Sequence, residues 1–358
     1  MRARNPVAGT LWLALLIACG TGLLALAGQP PPREEKQGPL PQQPPPVQQP
    51  GYTLSVDVPL VNVDLTVVDR RGNFVSGLQK EHFRVYQDGE EQEMAAFAPS
   101  EAPLTTVLVV ETTPTNYYLL WEKLDAAYLF LRQLRKGDWA ALVGFDLKPR
   151  IIVDFTQNTY EIGEALRRLQ FGGGGFRETN TFDAIIDTLK NLQEVDGKKS
   201  ILVVGTGVNT LTTHVWDDIR RIVREERTTI FCIGMTFLLQ NYYDTLETRG
   251  SRTAHFARSE LLMAENQMRA LAEMTGGRAY FPRFTTELPS VYQEIGAMLR
   301  NQYSLAFRPR NFKRDGKYHK IEIKLVGADG QPLKVTDQRG KNVKYEIYAR
   351  QGYYAPEA

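Results

Sequence analysis

The spacing of hydrophobic and polar positions changes twice along this chain, and the changes divide it. From Tyr52, apolar residues alternate through Leu54, Val56 and Val58, then through Val61, Val63, Leu65 and Val67. Period two predicts half-buried strands. Asp69-Arg70-Arg71-Gly72-Asn73 reads as a turn, and Phe83-Arg84-Val85-Tyr86 followed by Gln87-Asp88-Gly89-Glu90 reads as a hairpin. Residues 51–102 therefore form a β segment with too few strands to be stable alone. Over 103–302 the texture alternates between strand and helix, which predicts a doubly wound, mostly parallel α/β sheet. The strand runs are Thr106–Val110, Ala140–Phe145, Ile151–Phe155, Ser200–Val204, Thr229–Gly234 and Arg278–Phe281. Helical patterns lie at Tyr117–Leu134, Tyr160–Leu169, Phe182–Leu192, Val215–Glu225, Ser259–Met274 and Leu288–Tyr303. Alternation returns over 303–358, at Tyr303–Phe307, His319–Leu325 and Val343–Ala349, with turns at Asp315-Gly316 and Asp329-Gly330. The two β segments flank the α/β block and are expected to pack as one small β unit, each covering the other's apolar face.

The first fifty residues carry neither period. Arg2 and Arg4 precede an uncharged apolar run from Val7 to Gly28, the form of an export signal. Three exits are open: cleavage after Ala27, lipidation at Cys19 after Leu16-Ile17-Ala18, or retention as a membrane anchor. Residues 29–50 are dominated by Pro and Gln and predict an extended tether. The chain carries 43 Lys and Arg against 41 Asp and Glu, and loses Arg2 and Arg4 with the signal. The remaining charge is balanced, which argues against nucleic acid or anionic lipid as a bulk partner. Past the signal only Cys232 remains, within an apolar strand run, so no internal disulfide forms and Cys232 is expected in the core.

Chemistry concentrates at the end of the most apolar run. Thr105-Thr106-Val107-Leu108-Val109-Val110 reads as a strand buried on both faces. It stops at Glu111, with Thr112, Thr113 and Thr115 following. Ligands of open α/β sheets bind at the carboxyl ends of strands. Glu111, Thr113 and Thr115 are hard oxygen donors at alternate positions, a set that suits Mg²⁺. Other chemistry is not supported. His82, His214, His255 and His319 lack ligand spacing, Gly172–Gly175 is not followed by Gly-Lys-Ser/Thr, and no G-x-S-x-G elbow occurs. Asp183 is the one other acid linked to the site, as a first-turn helix residue that favours the positive helix end. The chain is expected not to be an enzyme.

The Glu111/Thr113/Thr115 tip resembles the D-x-S-x-S start of a von Willebrand factor A domain, whose acid and hydroxyls hold a divalent ion. Gly172-Gly173-Gly174-Gly175-Phe176-Arg177-Glu178-Thr179 leading into Asn180-Thr181-Phe182-Asp183-Ala184-Ile185 resembles the family's G-G-T-x-L-Y-D-A loop, with Thr179 as the implied ligand. Val204-Gly205-Thr206-Gly207-Val208-Asn209 stands where the family has S-D-G-x-D, placing Thr206 at the first acid and Asn209 at the second. Both flanks, Gly77-Leu78-Gln79-Lys80-Glu81-His82-Phe83 and Ala349-Arg350-Gln351-Gly352-Tyr353-Tyr354, resemble the ends of a group of exported bacterial VWFA-related proteins.

The resemblance implies a von Willebrand A-like domain over 103–302 with a metal-ion-dependent adhesion site at Glu111, Thr113, Thr115, Thr179 and Thr206. Only one carboxylate survives in that set, and affinity for a hard dication falls as ligand charge is removed. The site is therefore expected to be degenerate, with no cofactor or weak Mg²⁺, its hydroxyls capping helices and loops instead. The leading function is an exported, periplasmic or secreted module that grips a protein partner with the top of its sheet. The alternative is a structural subunit of an envelope assembly that binds neither metal nor ligand.

Overall fold

Burial follows the predicted periods closely enough to explain most elements. The computed structural model describes residues 60–70, 72–100, 102–113, 127–169, 178–248, 258–336 and 342–357. The export signal, the tether, Thr115 and the Gly172–Gly175 loop lie outside these residues. The first segment contains β1 (Val61–Asp69), β2 (Phe83–Gln87), β3 (Glu90–Gln92) and β4 (Met94–Ser100). Next come β5 (Leu104–Glu111), β6 (Trp139–Phe145), β7 (Pro149–Thr156), α1 (Thr159–Arg167), α2 (Thr181–Leu192) and β8 (Lys198–Gly205). The block continues with α3 (Trp216–Glu225), β9 (Thr228–Gly234), α4 (Thr236–Thr248), α5 (Arg258–Met274), β10 (Ala279–Tyr280) and α6 (Leu288–Arg300). The chain then passes through β11 (Gln302–Phe307), β12 (Tyr318–Leu325), β13 (Val335–Thr336), β14 (Asn342–Val343), β15 (Tyr345–Ala349) and β16 (Gly352–Tyr354).

The α/β block is a six-stranded sheet in the order β10-β9-β8-β5-β6-β7. All neighbours run parallel except β7, which lies antiparallel against β6 at the edge. Every residue of β5 is buried, because helices cover both faces of the central strands. Its even-numbered apolar residues, Leu104, Leu108 and Val110, face a core with the helical stretch at 127–131, α1 and α6. Val107 and Val109 face the opposite core, built on α2, α3 and α5. The predicted helix over Leu288–Tyr303 is shorter than its pattern. It ends at Arg300, Asn301 leaves the helical region (φ −106°, ψ 79°), and Tyr303 joins β11 opposite Leu65. The strand read over Arg278–Phe281 reduces to the two residues of β10. Among the described residues, no helix is long and apolar enough to cross a membrane.

The β segments do share their sheets. One has the order β15-β1-β11-β4 and the other β16-β12-β2-β3, so each combines strands from before and after the α/β block. Their facing sides bury one core, which includes Val63, Leu65, Phe83, Leu305, Phe307 and Ile321. Phe83, Phe97 and Tyr303 pack ring to ring, with centroids 5.0–5.6 Å apart. The expected hairpin is present: Gln87 pairs with Glu90 across Asp88 (φ 51°) and Gly89 (φ 88°), the two left-handed residues of a tight turn. Thr66 Oγ1 donates to Met298 O at 3.1 Å and Lys198 Nζ to Leu299 O at 2.6 Å, joining β1 and β8 to the end of α6.

Candidate functional site: the top of the central sheet

Glu111 is the last residue of β5 and is fully buried, at 0% exposure. A buried carboxylate needs donors, and three protein groups supply them. Thr113 Oγ1 donates to Oε1 at 2.8 Å, while the Thr206 N–H (2.5 Å) and Thr206 Oγ1 (2.9 Å) both donate to Oε2. Thr206 follows β8, the neighbour of β5, so adjacent strand ends bring the groups together. Gly205 makes the approach feasible. A Cβ there would lie 2.6 Å from Glu111 Oε2 and 2.7 Å from Glu111 Cβ.

The second and third loops clasp each other. Thr179 N–H donates to Thr210 Oγ1 at 2.9 Å, and Thr210 N–H donates back to Thr179 O at 2.9 Å. Asn209 Oδ1 accepts the Phe182 N–H at 2.8 Å, so a side chain from the neighbouring loop caps the start of α2. Its Nδ2 donates to Gly207 O at 3.1 Å. Asn180 adds bonds from its own N–H to Asp146 O and from its amide to Leu147 O and Leu211 O. Thr179 itself is buried, and its Oγ1 has no hydrogen-bond partner.

Glu111, Thr113 and Thr206 are thus joined by direct bonds, and Thr179 is tied to the loop that carries Thr206. Asp183 lies at the edge of this clasp, where the Asn180 amide donates to it at 3.3 Å. It accepts from Thr212 Oγ1 at 2.8 Å and contacts His214 Nδ1 at 2.9 Å. Asn180 and Thr210 were not singled out from the sequence, since their role depends on pairing between two loops. As expected, Cys232 is buried, and burial pushes its thiol up to about 12.

A dication fits this donor set poorly. Glu111 already accepts three hydrogen bonds, and among the described residues no group of three or more His, Cys, Asp or Glu could hold a metal ion. Two neighbouring buried atoms on the second loop lack a partner, the neutral Thr179 Oγ1 and the carboxylate oxygen Glu178 Oε2. The arrangement is a hydrogen-bonded knot, with the carboxylate compensated from within the protein.

Beside the knot the surface turns apolar. Leu211 and Val215 from the third loop and Leu262 and Met263 from α5 are each more than half exposed. Val215 and Met263 line a cavity of about 350 Å³ together with Phe182, Val208, His214 and Trp216, Leu262 and Met263 line a second hollow against Trp216, and Leu211 precedes Thr212 in the wall of the first. Trp216 packs against Phe182 with the rings tilted and their centroids 5.7 Å apart, forming the floor of this patch.

No family model and no curated protein matches the chain. Solved structures do. A conserved hypothetical protein, BatB from Bacteroides thetaiotaomicron, is similar at 11% identity and a TM-score of 0.41, over 55% of this chain and 100% of that one. A von Willebrand factor type A protein from Catenulispora acidiphila is similar at 12% identity and 0.41, over 78% and 75%. Proximal thread matrix protein 1 of the mussel byssus, in a form with a zinc-occupied MIDAS motif, is similar at 13% identity and 0.42, over 60% and 49%. At such values the likeness carries no conclusion about ligands. The block's own strand order, antiparallel edge and helices on both faces are von Willebrand A-like.

Proposed function

We propose that this chain is an exported protein-interaction module that grips a protein partner through the apolar rim at the top of its sheet, without metal. The observation that supports this most is that the exposed Val215 and Met263 line the Trp216 cavity while the exposed Leu262 lines a second hollow against the same Trp216. Large exposed side chains gathered in one place mark interaction surfaces, whereas scattered ones are ordinary. The Glu111 knot serves as the rigid floor that holds the third loop in position. The balanced charge of the chain past its signal fits a protein partner better than a polyanion.

The test is capture of a partner from envelope extract in EDTA, comparing the native protein with Leu211→Asp/Met263→Asp and with Glu111→Gln. Each variant is first checked for native circular dichroism. Loss of a partner in the double variant, with retention in EDTA, supports the reading. Undiminished capture by the double variant overturns it and favours the structural-subunit alternative. Loss in EDTA alone overturns its metal-free part. Fractionation of cells expressing the full chain tests export, which a purely cytosolic protein would refute.

A further inference from the structure

At the opposite end of the six-stranded sheet, a cavity of about 400 Å³ opens between the α/β block and the β unit. That volume falls within the roughly 300–1,000 Å³ of small-molecule sites. One wall is the outer face of β1 and β11, where Asn62, Asp64 and Ser304 point away from the β core that Val61, Val63 and Leu305 fill. The other is formed by the starts of β8 and β9, with Lys198, Arg227 and Thr228. Arg350, between β15 and β16, completes the lining.

The charges in this space do not cancel locally. Arg350 Nε donates to Gly352 O at 2.8 Å and its Nη2 to Arg224 O at 3.0 Å. Both partners are neutral carbonyls, which orient the guanidinium without compensating its charge. Burial, reinforced by the nearby Arg227 guanidinium, lowers the Arg350 pKa. Lys198 is in a similar position: burial lowers it to about 8, and the charge of Asp64 only partly opposes that. None of these three cations has an acid within 4 Å among the described residues. Glu226, at the rim, accepts from Gln193 Nε2 at 2.7 Å and keeps its charge, so the lining sets Lys198, Arg227 and Arg350 against Asp64 and Glu226. Thr228 is 1% exposed and its Oγ1 has no partner, an unusual deficit for a buried hydroxyl.

We propose that this cavity binds a small oxyanion-bearing molecule, with a carboxylate or phosphate group held by Arg227 and Arg350 and by the free hydroxyl of Thr228. Guanidinium groups recognise both anions through paired N–H donors. The polar face at Asn62 and Ser304 receives the rest of the ligand. Because the two walls belong to different parts of the fold, the ligand braces the β unit against the α/β block. This site is independent of the apolar rim, which lies at the other end of the sheet.

The experiment is thermal unfolding and calorimetric titration of the full chain with inorganic phosphate and, separately, citrate, at ionic strength fixed with chloride. At 10 mM we expect a Tm rise of about 2–4 °C with at least one anion, as ligand linkage requires. The anion with the larger shift identifies the phosphate or carboxylate class. Arg227→Ala, which removes an exposed side chain, should abolish the shift. Thr228→Val keeps the shape, loses the unpartnered hydroxyl, and should fold at least as stably without ligand while binding several-fold more weakly. Arg150→Ala at the other end of the sheet should respond as the native protein does. Absence of a shift with both anions overturns the proposal, and so does an equal shift in native protein and Arg227→Ala, which would mean nonspecific anion effects only.

Discussion

Replacing Glu111 by Gln separates a hydrogen-bonded knot from a metal site by the sign of its effect. In a site built for a dication, the carboxylate lacks its counter-charge whenever the ion is absent, and neutralising it stabilises the metal-free protein. In the knot, Oε1 and Oε2 accept three bonds, at 2.8, 2.5 and 2.9 Å, and the carboxylate already has its partners. Gln keeps one acceptor oxygen, which would turn toward the Thr206 N–H and hydroxyl. Its amide nitrogen would then face Thr113 Oγ1, whose hydroxyl must rotate from donor to acceptor. Bonds to charged groups contribute about 1.5–3 kcal/mol each against about 1 for neutral ones. Loss of charge assistance on two Thr206 bonds therefore predicts a cost of about 2 kcal/mol. For a folded unit of this size that is a Tm lower by about 3 °C. The assay is thermal and urea unfolding of both proteins in EDTA, then in millimolar Mg²⁺. A Glu111→Gln variant as stable as the native protein in EDTA, or more so, would refute the knot. So would a native protein that gains several degrees from Mg²⁺.

Four further outcomes follow from the same geometry. Thr206→Asp places a second carboxylate beside Glu111 and removes a donor, so it should lower Tm in EDTA and recover with Mg²⁺ more than the native protein does; equal Mg²⁺ shifts would show that position 206 faces no ion site. Asp138 is buried, which raises its pKa, but hydrogen bonds from Arg300 and from the Leu104 and Arg135 N–H groups outweigh burial and hold it below the ordinary 3.8. Its stabilisation is present above the unfolded carboxyl value and is lost as pH falls through the lower folded one, so the advantage of native protein over Asp138→Ala, about 3–5 kcal/mol in urea at neutral pH, should shrink below about pH 4. Deleting residues 304–358 removes most of β11 and all of β15, both neighbours of β1, so limited proteolysis should cut the N-terminal strands; unchanged protection would mean they stand alone. Cys232 should resist alkylation in the native chain and react once unfolded, and labelling at the rate of an exposed thiol would contradict its burial.

The strands of the α/β block were legible because each is a short apolar run with polar ends, and burial on both faces leaves little ambiguity. α4 was not. Thr236–Thr248 mixes Leu238, Leu239 and Tyr243 with Gln, Asn and Asp, and its buried residues serve two separate clusters, so no single stripe marks it. Tyr303 looked helical because it continues the spacing of α6, yet pairing with Leu65 wins over that local period. At the site, position in the chain was readable and the partners were not. That Thr206 would follow a strand end was visible, whereas its two bonds to Glu111 depend on the β5–β8 register. The apolar rim was invisible for a related reason: Leu262 and Met263 interrupt the polar face of α5, and only the fold places them beside Val215 and Trp216.

The three positions at the top of the sheet that differ from the von Willebrand A motifs they resemble are physically coupled. Glu in place of Asp at 111 lengthens the side chain by one methylene, and that reach carries Oε2 to the Thr206 N–H. The reach requires Gly205, since any Cβ there would collide with Glu111. Thr in place of Asp at 206 then supplies a hydroxyl donor where an acid would repel. Asn in place of Asp at 209 accepts from Phe182 N–H, as an acid could, but also donates to Gly207 O, as an acid could not. Thr206 and Asn209 each exchange a charge that would await a cation for a hydrogen bond closed within the protein, and Glu111 keeps its charge but has it met by protein donors. Restoring one carboxylate alone leaves the exchange at Asn209 in place, so Thr206→Asp should gain only part of a cation site. The proposed recognition surface, the exposed apolar side chains beside the knot, needs no ion.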